Sequence, residues 1–100
     1  MADYEKIGQA VGKIVTKKQL AYGDSFGQSG KVMKILYPEG IKTEQMDDAL
    51  CVVRILDKLF RLATSPNALG ESPYQDIAGY ALLGLARQIQ DKKDATAKEE

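Results

Sequence analysis

The sequence predicts an all-α fold, a small helical bundle of about four helices that oligomerisation completes. Three observations lead there. Apolar residues recur along the chain at helical rather than strand spacing. The run Ser72-Pro73-Tyr74-Gln75 is a strong helix-start signal. Two of the helical stretches are apolar over most of their circumference, more than a chain of 100 residues can cover by itself.

The first helix is expected over about residues 4–21, where Ile7, Val11, Ile14 and Val15 recur at helical spacing with lysines between them. Gly8 and Gly12 each weaken it by roughly 1 kcal/mol relative to alanine. Ser29 is expected to cap a short second helix holding Val32, Met33, Ile35 and Leu36, before Pro38-Glu39-Gly40 turns the chain. Tyr37 then plugs that turn. Thr43 suits the N-cap of a third helix over about residues 44–63, with acids early and Arg61 late, as the helix dipole prefers. Ser65-Pro66-Asn67 ends it. In the fourth helix Ser72 caps, Pro73 takes the first helical position, Gln75 completes a capping box, and the helix runs to about Gln90. Residues 1–90 thus form one helical domain, and the charged tail 91–100, DKKDATAKEE, is expected to be frayed and flexible.

Lys+Arg 14 balances Asp+Glu 14, which disfavours a protein that coats long nucleic acid by neutralising phosphates, though not a local basic stripe for one small anion. Histidine is absent, so His-based triads, HExxH zinc sites and His phosphotransfer are excluded. Cys51 is the only cysteine and allows no internal disulfide. With no histidine to serve as its base, it reads as a packing residue rather than a nucleophile. No apolar run is long enough to span a bilayer, and MADYEK is no signal peptide, so the expected location is the cytoplasm with no membrane partner.

The third and fourth helices each carry a polar line through an apolar wall. Arg54, Asp57, Lys58 and Arg61 follow i, i+3, i+4, i+7 spacing, with Asp47 one heptad before Arg54. Asp76, Tyr80 and Arg87 form the line on the fourth helix. Either both lines are solvated faces, with i,i+4 pairs worth a few tenths of a kcal/mol, or they converge where the helices pack. In the second case Asp57 and Asp76 enter a mostly apolar pocket and need cationic partners or a metal. Arg54, Lys58 and Arg61 would then hold phosphate oxygens. Because neither lies on the apolar arc, replacing Arg54 or Arg61 by glutamine is expected to leave the fold intact.

Three blocks occur in order: K-x-x-x-Y-G-x-S from Lys18 to Ser25, D-K-L-x-R-L from Asp57 to Leu62, and E-S-x-x-x-D-I-x-x-Y from Glu71 to Tyr80. Together they resemble a phage-associated nucleotide-modification family of small all-α domains. The resemblance covers about residues 18–85 and implies kinship with the MazG and dimeric dUTPase type of nucleoside triphosphate pyrophosphohydrolase. Those are metal-dependent helical oligomers that bind nucleotides between subunits. It implies a small phosphorylated nucleotide and a second copy of the chain as partners. The ExxE and ExxD carboxylate pairs of those hydrolases are not matched: Phe60 stands three residues after Asp57, and Glu71 and Asp76 are five apart. Magnesium would rest on Asp57 and Asp76 only if the chain is an enzyme, and the binding reading requires no cofactor.

The stretch KKQLAYGDSFGQSG, residues 17–30, admits two readings. Facing a nucleotide, Tyr22 and Phe26 offer flat faces to a base and Gly23 lets the backbone come close. Lys17 and Lys18 then approach phosphate, while Asp24 and Ser25 supply an acceptor and a hydroxyl. Otherwise it is a glycine turn with Asp24 or Ser25 as an N-cap and its aromatics in the core. The candidate ligand site is Lys18, Tyr22, Gly23, Asp24 and Ser25 with Arg54, Asp57, Lys58 and Arg61 of the third helix and Asp76 and Tyr80 of the fourth. The expected function is nucleotide binding, including sequestration, without an efficient hydrolytic site. A magnesium-dependent pyrophosphohydrolase is the alternative, and a protein-interaction module with apolar docking helices is the third reading.

Overall fold

The computed structural model describes residues 2–67 and 70–99; Met1, Ala68, Leu69 and Glu100 lie outside the described residues. Helix α1 spans Tyr4–Tyr22, α2 Ser25–Leu36, α3 Met46–Thr64 and α4 Pro73–Glu99, with a 3-10 turn at Thr43–Gln45 leading into α3. The described residues contain no strand. Helix α3 is the hub, and α1, α2 and α4 each pack against it.

The break between α1 and α2 is two residues long. Gly23 ends α1 at φ 58°, and Asp24 repeats the same left-handed value, which aspartate tolerates better than most residues. The Asp24 carboxylate accepts from the Gly27 amide at 3.2 Å and from the Gln19 side chain, so it caps α2 and ties it back to α1. Helix α2 therefore starts at Ser25, ahead of the expected cap at Ser29. The Ser29 hydroxyl is instead inside the helix, buried and without a hydrogen-bond partner among the described residues.

Helix α3 also begins differently from expectation. Thr43 is not its cap but the first residue of the 3-10 turn, because Gln45 reaches back to accept from the Lys42 amide at 2.9 Å. The start of α4 is as expected, with the Gln75 amide donating to the Ser72 hydroxyl at 3.3 Å. Its end is not. The helix continues past Gln90 to Glu99, with Gln90 bonded to Asp94 at 3.0 Å and the Thr96 hydroxyl to the Lys92 carbonyl at 3.0 Å. The segment holds no glycine or proline to stop a helix already running.

Little of the apolar surface is covered. Among the described residues, the buried apolar ones are Ala21, Ala49, Leu56 and Pro73. Ile7, Val11, Ile14 and Val15 of α1 are all exposed, as are Leu82, Leu85 and Ile89 of α4. The chain exposes 8018 Å², against about 5,600 Å² for a compact monomer of this mass. Its radius of gyration is 18.0 Å, against about 13 Å for a compact domain of this length.

Gly23 is held by two constraints. Its φ is left-handed, and a Cβ built there would collide with the Thr64 hydroxyl at the end of α3. Gly23→Ala is expected to cost about 1–2 kcal/mol for the conformation alone, and more for the collision. Denaturant melts of Gly23→Ala, Thr64→Ala and the double variant separate the parts. The double variant should recover the collision cost and keep the conformational one.

Candidate functional site

Helix α3 turns the Lys58–Arg61 end of its polar line toward its neighbours, while Leu56 of the apolar arc is buried as well and Arg54 is exposed. At its C-terminal end Arg61 is completely buried. One of its terminal nitrogens donates to the Glu71 carboxylate at 2.9 Å and the other to the Glu71 backbone carbonyl. A planar guanidinium suits this, because its fork presents two donors to two acceptors of one residue. The contact fastens α3 to the segment just before α4. Arg61 is thus a structural clasp, and the expectation that its replacement leaves the fold intact is corrected: a glutamine there cannot reach both acceptors with a charge.

One turn earlier, Lys58 joins three helices. Its ammonium lies 3.1 Å from the Asp76 carboxylate of α4 and donates to the Tyr22 hydroxyl of α1 at 3.4 Å. It also sits 5.6 Å from the Tyr22 ring centroid. Burial is the largest single influence on its proton affinity and pulls it down. The hydrogen bonds to Asp76 and Tyr22, with their charges, outweigh that and hold the ammonium above its ordinary value of 10.5.

Two turns nearer the start of α3 the line opens into a cleft of about 210 Å³ between α3 and α4. Arg54, Cys51, Asp47 and Leu50 line it from α3, and Tyr80, Leu83, Gly84 and Arg87 from α4. The Arg54 guanidinium lies 5.6 Å from the Tyr80 ring centroid. The Cys51 thiol donates to the Tyr80 carbonyl at 3.7 Å, a packing contact that pins the two helices together. Arg87 lies 3.5 Å from the carboxylate of Asp48 at the outer rim.

The structure therefore brings together residues from all three sequence blocks, Tyr22 with Lys58 and Asp76 and Arg61 with Glu71, and sets Arg54, just before the second block, against Tyr80. Other candidates are engaged elsewhere or stand apart. Gly23 packs against Thr64, Asp24 caps α2, and Ser25 is buried. Lys18 is exposed, and Phe26 is 94% exposed rather than tucked into the core. Asp57 is half-buried with no hydrogen bond or ion pair among the described residues, while Asp76 is taken by Lys58. Among the described residues no three acids, cysteines or histidines group to hold a metal. Sequence reasoning missed Glu71 as the partner of Arg61 and Asp48 as the partner of Arg87. An acid immediately before the Ser72 cap was the only local hint of the first, and nothing local signals the second.

Two outcomes follow from these contacts. Arg61→Gln should destabilise the protein by about 2–3 kcal/mol, the lower end for breaking a buried pair because Glu71 can rehydrate; urea melts measure it. For Lys58, a folded-state value raised above the unfolded one stabilises the protein fully below the unfolded value. That stabilisation is lost as pH climbs through the folded value. As pH climbs past the ordinary lysine value of 10.5, the parent should thus lose stability by a component that Lys58→Met lacks. Melts of both proteins across that rise would show parallel curves if the ammonium contributes nothing.

Comparisons of the chain with protein-family profiles, with curated proteins and with solved structures find no match.

Proposed function

We propose that the chain binds a small phosphorylated nucleotide at the α3–α4 cleft, working as a homo-oligomer that holds its ligand rather than hydrolysing it. Arg54 carries this reading. Lys58, Arg61 and Arg87 each have a carboxylate within 4.0 Å, whereas Arg54 has none among the described residues and rests on the Tyr80 ring. A guanidinium laid on an aromatic face is already oriented and keeps its N–H donors for phosphate oxygens. Arg87 flanks it across the cleft, and Leu50 and Leu83 offer apolar wall to a base.

The cleft volume of about 210 Å³ is below the roughly 300–1,000 Å³ of a complete small-molecule site. It suits the phosphate-bearing end of a nucleotide, with the remainder outside the protomer's own walls. Residues of the three sequence blocks meet where Lys58 joins Tyr22 and Asp76, and the resemblance to the phage nucleotide-modification family would place the protein in a bacterial cytoplasm, where sequestration needs no turnover. The hydrolase reading would have to build its metal site on Asp57 and Asp76, and no third acid accompanies them among the described residues. Exposed apolar surface supports the oligomer.

A thermal-shift screen of nucleoside mono-, di- and triphosphates and cyclic nucleotides, with and without magnesium, tests this directly. A ligand at a hundred times its Kd adds about 2.7 kcal/mol to the folded state. Arg54→Gln should cost the ligand-free protein no more than the lost ring contact, about 0.5–1 kcal/mol, and weaken the best nucleotide by about 1.5–3 kcal/mol, a loss of roughly 10- to 150-fold. No shift with any nucleotide would overturn the reading. Multiple-turnover release of pyrophosphate that stops on chelation would show an enzyme instead.

A further inference from the structure

Helix α4 presents two unlike faces. Toward α3 it turns Asp76, Tyr80 and Arg87. At 100° per residue, Ala78, Leu82, Leu85 and Ile89 fall together on the opposite side. Leu82 is 67%, Leu85 55% and Ile89 48% exposed. Asp76 and Arg87, the only charged residues from Pro73 to Gln90, both belong to the inward side, so this aliphatic seam carries no charge.

We propose that the seam is covered by the same seam of a second copy, the two α4 helices running antiparallel about a two-fold axis. Three features favour a copy of this chain over a foreign partner. The spacing along the seam is 4, 3, 4, which reads the same in both directions. An isologous contact needs a surface that superposes on itself when reversed, and this one does. In the antiparallel pair Leu82 meets the partner subunit's Leu85 and Ala78 meets the partner subunit's Ile89, small against large, at the spacing of a knobs-into-holes seam.

Charge separates this face from its rival. The apolar face of α1 carries Lys18 within it and Lys6, Lys13 and Lys17 on the same helix, so pairing it with itself would bring like charges together. Pairing the α4 seams brings none. Area agrees as well. The exposed 8018 Å² exceeds the compact-monomer value by about 2,400 Å², and a standard interface takes about 800 Å² from each partner. One such contact is well within that excess. The remainder leaves α1 available for another.

This proposal specifies the oligomer invoked above and does not depend on the ligand. A nucleotide screen without hits leaves it standing, and a monomeric parent defeats it without touching the Arg54 cleft. The test is the solution mass of the full chain by light scattering at micromolar concentration, for the parent, Leu85→Glu and Gln90→Glu. The parent should be an oligomer. Leu85→Glu should at least halve its mass, while Gln90→Glu, the same charge on the same helix off the seam, should keep it. A monomeric parent, or a Leu85→Glu that keeps the parental mass, overturns the proposal. Should Leu85→Glu not fold, cysteine pairing decides: Leu82→Cys and Leu85→Cys, each with Cys51→Ser, are mixed and oxidised. A disulfide dimer richer in the mixture than in either variant alone is expected. Equal or absent cross-linking in a folded mixture overturns the antiparallel seam.

Discussion

Burying the guanidinium of Arg61 sets the orientation of everything around it. A charge removed from water must find acceptors, and here Glu71 provides both its carboxylate and its carbonyl. Once Arg61 points inward, Lys58 and Arg54, three and seven residues before it, must point the same way, since they share its side of the helix. The apolar arc of α3 is then left to α2 and to solvent. Helix α4 answers with Asp76 against Lys58 and turns its aliphatic side out. On α4 the usual amphipathic order is thus reversed, with Leu82, Leu85 and Ile89 exposed and Asp76 paired inward.

The same rotation divides the cations into two kinds. Lys58 and Arg61 are neutralised by Asp76 and Glu71 and hold helices together. A phosphate reaching either would have to displace a carboxylate. Arg54 is oriented by an aromatic ring and has no ion-pair partner among the described residues. Four basic side chains that look equivalent on the helical lines are therefore chemically distinct, and only one offers a full unspent charge inside the cleft.

The elements were readable and their facing was not. Helical spacing and the Ser72-Pro73 start place the helices, because capping and periodicity are local properties. The direction of the polar lines is not local: the wheel of α3 is the same whether Arg54 to Arg61 face water or α4. Pairings such as Arg87 with Asp48 depend on which turns of α3 and α4 lie abreast, which no spacing within one helix encodes. In the 17–30 stretch the reading of a glycine turn capped by Asp24 holds, and the cap at Ser29 does not. Asp24 and Ser29 are both good caps, and Asp24 wins because the left-handed pair at Gly23 and Asp24 lets α2 begin at once. Its acid and its glycine serve the joint. Tyr22 serves Lys58, and Phe26 stands 94% exposed. The tail lacks large apolar residues yet continues α4, because the helix leading into it has already met the cost of nucleation.

A protomer that buries so few apolar residues has little of its own with which to offset the entropy of ordering its chain. Where faces such as the α4 seam are closed by another copy, folding and assembly become one equilibrium with a concentration in it. The melting temperature is then not a constant of the sequence but rises with the amount of protein present. For such a molecule, dilution is itself a denaturant.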